Sequence, residues 1–244
     1  MKRKLIVFVC SILMIYNVSN AQENYDSTQT NNFALSLDLV SSYVWRGLVF
    51  SDAPNLQPYL AFTNNKGNFT VGAWGSYSLA DYFSEVDIFA SYSISNFTIT
   101  LTDYFVMSQQ LNNHFFNFEN ETTNHALEGS FTYNGPESFP IQLLVATFFY
   151  GFDKNAQGDN NFSTYFEASY PFKWKKNNLD VFMGMTPGEG LYADYFAVTN
   201  IGISNSREVK INDRLSIPIK GSLIINPNLE NIYLVLAITF AANN

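Results

Sequence analysis

Between Phe33 and Phe240, apolar side chains recur at every second position, and helical spacing is nearly absent. Phe33, Leu35, Leu37 and Leu39 set the pattern, with Ala34, Ser36, Asp38 and Val40 between them. Read along the chain, the alternation predicts twelve strands at 33-45, 55-63, 68-79, 84-94, 97-107, 124-133, 140-150, 162-172, 178-186, 194-204, 214-225 and 231-240. No longer repeat is visible, only the recurring hairpin. The connections alternate in length. Long ones at 108-123 and 151-161 fall on one side, and tight turns such as Ser95-Asn96, Asn64-Asn65-Lys66-Gly67 and Asn134-Gly135-Pro136 fall on the other. A long connection at 205-213, on the short side, breaks this order and has no explanation in the pattern.

Each strand has one apolar and one polar face. Phe69, Val71, Ala73 and Tyr77, then Val86, Ile88, Ala90, Tyr92 and Ile94, share one parity, as do Leu215, Ile217, Ile219, Leu223 and Ile225 near the end. The other parity carries Thr70, Gly72 and Ser76; Glu85, Asp87, Ser91 and Ser93; Ser163 and Glu167; and Ser216, Lys220 and Ser222. Parity alone leaves open which face is outside, but size decides it. About eight strands already fill a barrel interior with side chains, so small polar residues on twelve strands imply a wet interior. The apolar face then meets lipid. The expected fold is all-β: an antiparallel transmembrane β-barrel of about twelve strands, an up-and-down meander with both termini periplasmic.

The stretch SSYVWRGLVFSDAPNLQP at 41-58 is read within that frame. Tyr43 and Trp45 continue the apolar parity of the first strand, so they are expected as interface aromatics, with ring in hydrocarbon and polar edge among headgroups. Arg46 takes the opposite parity and is expected to point inward at the rim, with Gly47 marking the exit from the strand.

The ends add a compartment. Lys2, Arg3 and Lys4, the short apolar run Leu5 to Tyr16 and the small residues Ser19-Asn20-Ala21 form a signal peptide with cleavage expected near Ala21. The apolar run is too short for a membrane-spanning helix, which needs roughly 20 residues. The expected domains are the signal peptide at 1-21, a polar tail at 22-32 and the barrel at 33-244. Cys10 lies in the leader, so disulfide and thiol chemistry are excluded from the mature chain. Losing the leader's three basic residues leaves 10 of the 13 Lys+Arg against 21 Asp+Glu, a net charge near -11. Nucleic acid is excluded as a partner, because binding it rests on Lys and Arg neutralising phosphates. Aromatic residues reach 17% while charged ones make only 14%, against about 25% in globular proteins. Water-facing surface is scarce, yet no segment after Ala21 is a continuous apolar helix span.

Ser42-Tyr43-Val44-Trp45-Arg46-Gly47 followed by Ser51-Asp52-Ala53-Pro54 resembles the first hairpin of the TorF-type porin (Gcw_chp) family of bacterial outer-membrane barrels. Ala73-Trp74-Gly75 and Tyr165-Phe166-Glu167-Ala168-Ser169-Tyr170-Pro171 are similar too, and Gly221-Ser222-Leu223-Ile224-Ile225-Asn226-Pro227 resembles the ending of Bacteroidetes members. The resemblance is specific over about 33-105 and looser from 160 to 186. It implies a Gram-negative outer membrane, with outer-membrane lipid and the barrel-assembly machinery as partners, and says little about substrate. Ala241-Ala242-Asn243-Asn244 after Phe240 departs from the terminal aromatic that assembly machinery reads.

Inward-parity charges form the candidate site: Asp38, Arg46, Glu85, Asp87, Glu128, Glu167, Asp180 and Lys220. As a pore lining they have an acid excess favouring cations or neutral polar solutes. The competing reading is a plugged interior in which Arg46 and Lys220 each compensate a carboxylate, since buried charges must be paired or hydrated. Asp103 falls on the apolar parity, and a bulge after Leu101 that turns it inward is expected. His114 and His125, near loop 108-123, read as solvated loop histidines rather than catalytic bases, and with Glu119 and Glu121 their spacing is unspecific for a metal. Catalytic residues, metal ligands and cofactors are therefore expected to be absent. The sequence favours passive passage of small polar or cationic solutes. The alternatives are a non-conducting structural or binding barrel acting through loops 108-123 and 151-161, and a soluble periplasmic ligand-binding barrel.

Overall fold

Phe33–Val40 (β1) pairs on both of its edges, and that double pairing closes the molecule on itself. On one side its partner is Asn231–Ala241 (β14), with Leu37 opposite Phe240 and Leu39 opposite Ile238. On the other it is Asn55–Thr63 (β4), in register from Phe33 opposite Phe62 to Val40 opposite Asn55. Between them run Phe69–Ser78 (β5), Ser84–Ile94 (β6), Phe97–Met107 (β7), His125–Asn134 (β8), Gln142–Gly151 (β9), Thr164–Trp174 (β10), Asn177–Thr186 (β11), Ala197–Asn212 (β12) and Leu215–Asn226 (β13), each antiparallel to its neighbour. The result is a closed barrel of twelve strands in up-and-down order. Tyr43–Trp45 (β2) and Leu48–Ser51 (β3) form a separate two-stranded sheet that is not part of the wall. The structure is a computed structural model that describes residues 32-107, 113-175, 177-212 and 215-241; the expected leader and most of the tail lie outside the described residues.

The two faces separate as the alternation requires. Outward positions are apolar and exposed: Leu35, Leu37, Leu60, Val71, Val86, Ile88, Ile99, Leu101, Val181, Met183, Ile203, Leu223, Leu234 and Leu236. Aromatic rings band this surface at both ends, with Phe69, Tyr92, Phe97 and Trp174 toward the short connections and Tyr77, Tyr82, Phe149 and Phe162 toward the long ones. Inward positions are polar and buried, including Asn55, Gln57, Thr70, Ser76, Ser91, Thr98, Thr102, Thr132, Ser169 and Ser204. A soluble ligand-binding barrel inverts this arrangement, with apolar residues inside, so that reading falls.

Two boundaries differ from the sequence expectation. The connection expected at 205-213 is mostly strand: β12 continues to Asn212 and stays paired with β13, as in Arg207 opposite Ile219 and Asn212 opposite Leu215, with one register shift between Lys210 and Asn212. Its polar residues read as a turn, but ladder hydrogen bonds join backbone groups and are indifferent to side-chain polarity. The first strand, expected to run to residue 45, ends at Val40. Ser41 makes the last contact with the wall, its N–H donating to Leu236 O at 2.8 Å and its Oγ accepting from Leu236 N–H at 3.0 Å. The chain then turns away from the wall.

Candidate functional site

The segment that leaves the wall folds into the lumen. Tyr43-Val44-Trp45 and Leu48-Val49-Phe50 are two short alternating runs joined by two residues, Arg46 and Gly47, with φ of 51° and 81°. Positive φ at both central positions is the requirement of a tight hairpin turn whose twist matches its strands. Glycine is demanded twice over at 47, because a Cβ there would lie 1.8 Å from Thr199 O on β12. Asn226 on β13 donates from Nδ2 to Gly47 O at 2.9 Å. The turn is therefore held against β12 and β13, two to three strands round the wall from β1.

Its two aromatic side chains are anchors inside the barrel. Tyr43 and Trp45 are each 7% exposed, which corrects their expected place at the lipid interface. Trp45 packs on Tyr104 of β7, Phe148 of β9 and Tyr192 in the connection 187-196, at centroid distances of 5.7, 6.3 and 5.8 Å. Tyr43 packs on Trp74 of β5 at 5.4 Å and on Phe83 at 5.7 Å. The outgoing leg is tied to the wall by hydroxyls and amides: Ser51 Oγ donates to Asp81 at 2.7 Å, Asn55 Nδ2 donates to Ser51 Oγ at 3.1 Å, and Ser76 Oγ donates to Asn55 Oδ1 at 3.1 Å.

Arg46 sits at the tip of this plug. Its guanidinium donates Nη1–H to Glu128 Oε2 at 2.5 Å and Nη2–H to Glu128 Oε1 at 3.0 Å, a two-pronged grip on a carboxylate of β8. Nη1 also donates to Tyr192 OH at 2.5 Å, and Tyr104 OH donates to Glu128 Oε1 at 3.1 Å. The guanidinium carbon lies 4.2 Å from the Trp45 ring centroid and 4.8 Å from that of Tyr165 on β10. Both charges are almost wholly buried, at 5% and 2% exposure. Two-pronged pairing and ring faces together offset the desolvation that burial imposes on both groups.

The remaining inward charges distribute around this centre. Glu167 on β10 accepts from Tyr165 OH at 2.5 Å and Asn200 Nδ2 at 3.0 Å. Lys220 on β13 is half-buried and lies in the field of Asp180 on β11 and Asp38 on β1, each two strands away, without a direct ion pair to either among the described residues. Glu85 and Asp87 on β6 are buried side by side, with no cation beside them among the described residues. The candidate set thus gathers six carboxylates and two cations inside the wall. Buried inward side chains run the length of the barrel, from Asn55, Gln57, Ser76, Asp87, Tyr165, Thr199 and Asn226 near the plug to Thr70, Thr98 and Thr132 toward the short connections, where Ser36, Ser93, Thr100, Ser130 and Tyr233 remain partly accessible.

Asp103 departs from expectation. Register runs unbroken through Leu101 opposite Gly129, Thr102 opposite Glu128 and Asp103 opposite Leu127, so no bulge turns it inward. Instead His125 sits beside it on the outer face, Nδ1 at 2.9 and 3.0 Å from the two carboxylate oxygens. His125 Nε2 lies 2.6 Å from Phe115 O, so both ring nitrogens are engaged. Phe118 stacks on the imidazole at 4.3 Å and Phe105 approaches at 4.6 Å. His125 is fully buried rather than solvated, while His114 is exposed. The loop thus covers a His125–Asp103 contact that the outer face would otherwise present.

The inserted hairpin was the main feature sequence reasoning missed. Its signal was present, since two alternating runs separated by a two-residue x-Gly loop mark a tight hairpin. No family model and no curated protein matches the chain, so the TorF-type and Bacteroidetes resemblances gain no support there. Among solved structures, the chain is similar to a KdgM porin (7% identity, 86% of this chain and 99% of that one, TM-score 0.47). It is also similar to the COG4313 outer membrane channel from Pseudomonas putida F1 (11% identity, 90% and 99%, TM-score 0.42) and to Pseudomonas aeruginosa OpdK with vanillate (11% identity, 88% and 66%, TM-score 0.39). At these identities and TM-scores the likenesses carry no conclusion about this chain's activity.

Proposed function

We propose that the chain is an outer-membrane barrel that lets small polar or cationic solutes pass, with the hairpin 43-51 narrowing the path. The observation that carries this reading is the inversion of the two faces: charges and hydroxyls buried inside, an aromatic-banded apolar belt outside. Crossing hydrocarbon requires every backbone polar group to be satisfied, and the closed ladder from β1 to β14 supplies that. The short-connection end, which carries both chain ends of the wall, is the periplasmic side in this proposal, and the long connections face outward. The acid excess among the inward charges supports cation preference. The leader, its cleavage near Ala21 and delivery by assembly machinery belong to the same proposal.

Reconstitution of the full mature chain into planar bilayers tests it. Discrete conductance steps with cation preference are expected, and replacing 43-51 by a short Gly-Ser link is expected to enlarge them. A second reading, a closed barrel acting through its outer loops, is favoured by one observation, the dense seating of Trp45 and Arg46 in the lumen. Silence from both the intact and the hairpin-less barrel decides for it.

A further inference from the structure

We propose that Glu85 and Asp87 form a binding site for a hard, oxygen-preferring cation of the calcium class, set in the lumen wall beside the plug. The two residues are i and i+2 on β6, so the pleat places both carboxyls on the inward face. They are 4% and 0% exposed. Among the described residues no N–H or hydroxyl donor reaches either oxygen of Asp87 or the Oε2 of Glu85; the near neighbour of Asp87 is the Glu85 carboxyl itself. Arg46 is committed to Glu128, and Lys220 lies in the field of Asp180, Asp38 and Glu167, so neither lumenal cation serves this pair.

Two buried carboxyls with idle oxygens either share a proton or take a positive partner, because an uncompensated buried charge is the costliest arrangement a protein interior can hold; a bound cation is the arrangement proposed. The neighbouring groups supply further oxygens of the right kind. Gln57, in the row that Ser76 and Glu85 continue, is almost wholly buried, donates its Nε2 to Ser76 at 3.2 Å and leaves its carbonyl Oε1 without a partner. The Tyr43 hydroxyl faces Glu85 from the plug. Carboxylate, amide carbonyl and hydroxyl oxygens with no nitrogen or sulfur donor are the ligand set of Ca²⁺ rather than of a transition metal. Glu85 also borders a small, mainly apolar cavity on the long-connection side lined by Trp45, Phe50, Tyr104, Phe148 and Leu191. Since Tyr43 and Phe50 come from the hairpin, an ion held here would also fasten the plug. The inference rests on the lumenal reading of the polar face but not on conduction.

Terbium is the probe, because it replaces Ca²⁺ and emits when a nearby indole is excited, and Trp74 stands opposite Asp87 in the ladder. The full chain is refolded in micelles and titrated with Tb³⁺ under tryptophan excitation, with correct folding checked by heat-modifiable migration. Sensitised emission is expected, displaced by Ca²⁺ and not by K⁺, with affinity weakened by roughly tenfold or more in D87N and lost in E85Q/D87N. The exposed loop variant E189Q is expected to leave it unchanged. Absence of emission from the wild type, equal emission from D87N, or displacement by K⁺ as readily as by Ca²⁺ overturns the site. If the double variant fails to fold, the wild-type competition and the single D87N variant decide alone. Because binding is read in micelles, silent bilayers with retained, Ca²⁺-displaced emission sink the channel reading only, and conducting bilayers without emission sink this site only.

Discussion

Replacing Arg46 by methionine keeps much of the side chain's length and removes the guanidinium that grips Glu128. The wall residue is then left as a carboxylate at 2% exposure, with the Tyr104 OH still donating to it. Breaking a buried pair from one side typically costs about 3–5 kcal/mol. Loss of the stacking on Trp45 and Tyr165 adds roughly 0.5–2 kcal/mol. The lumen offers relief that a solid core does not, because water entering past a loosened hairpin can hydrate Glu128, so the lower end, about 3 kcal/mol, is expected. A double-mutant cycle isolates the pair. R46M and E128Q each strand a partner, whereas R46M/E128Q leaves two neutral groups and is expected to recover part of the loss, as coupling between contacting residues does. Denaturant unfolding of the four proteins in micelles measures the stabilities, and the same preparations in bilayers report whether the released hairpin widens the path. A coupling energy near zero, with R46M as stable as the wild type, refutes the claim that this pair seats the plug.

Gly47→Ala meets both a left-handed backbone and Thr199 O; it is expected to cost about 1–3 kcal/mol in unfolding assays and to raise conductance by lifting the hairpin tip. Ile88→Lys on the outer belt is expected to lose roughly 2–4 kcal/mol of barrel stability in bilayers, while Ser93→Lys on the inner face of the same strand loses little, since lysine on a lipid face is penalised and in a lumen is hydrated; equal effects would contradict the face assignment. His125→Ala leaves Asp103 on the outer face without its ring partner, and faster proteolysis of loop 113-124 together with lower stability is the expected result, rescued in part by adding D103N. Asp81 lies in the rim connection 79-83, where slight burial pushes its carboxyl up and hydrogen bonds from Ser51, the Phe83 N–H and Ser78 outweigh it, holding it below the ordinary value of 3.8. Its contribution is present above the unfolded-chain value and is lost as pH falls through the lower folded one, so stability measured across that acid window should flatten in D81N.

Period-2 alternation determined much of this protein on its own. It located all twelve wall strands, assigned side chains to two faces, and showed the asymmetry of long and short connections. This worked because a strand's side chains point to opposite faces one by one, so face membership is a property of local sequence. It also placed Asp38, Glu85, Asp87, Glu128, Glu167, Asp180 and Lys220 on one side of the wall. Three features were decided only by tertiary structure. Tyr43 and Trp45 carry the same alternation whether they continue a strand into lipid or fold into a lumen, and the outcome depends on rings from β5, β7, β9 and the 187-196 connection that wait inside. Asp103 is separated from His125 by 22 positions, and only the pairing of β7 with β8 and the return of the loop through Phe115 join them. The extension of β12 depends on a partner strand that supplies backbone bonds to residues whose side chains look like a turn. Alternation records which way a side chain points. What it meets there depends on how a wide closed wall is filled, and that is settled by volume and charge contributed from the whole circumference.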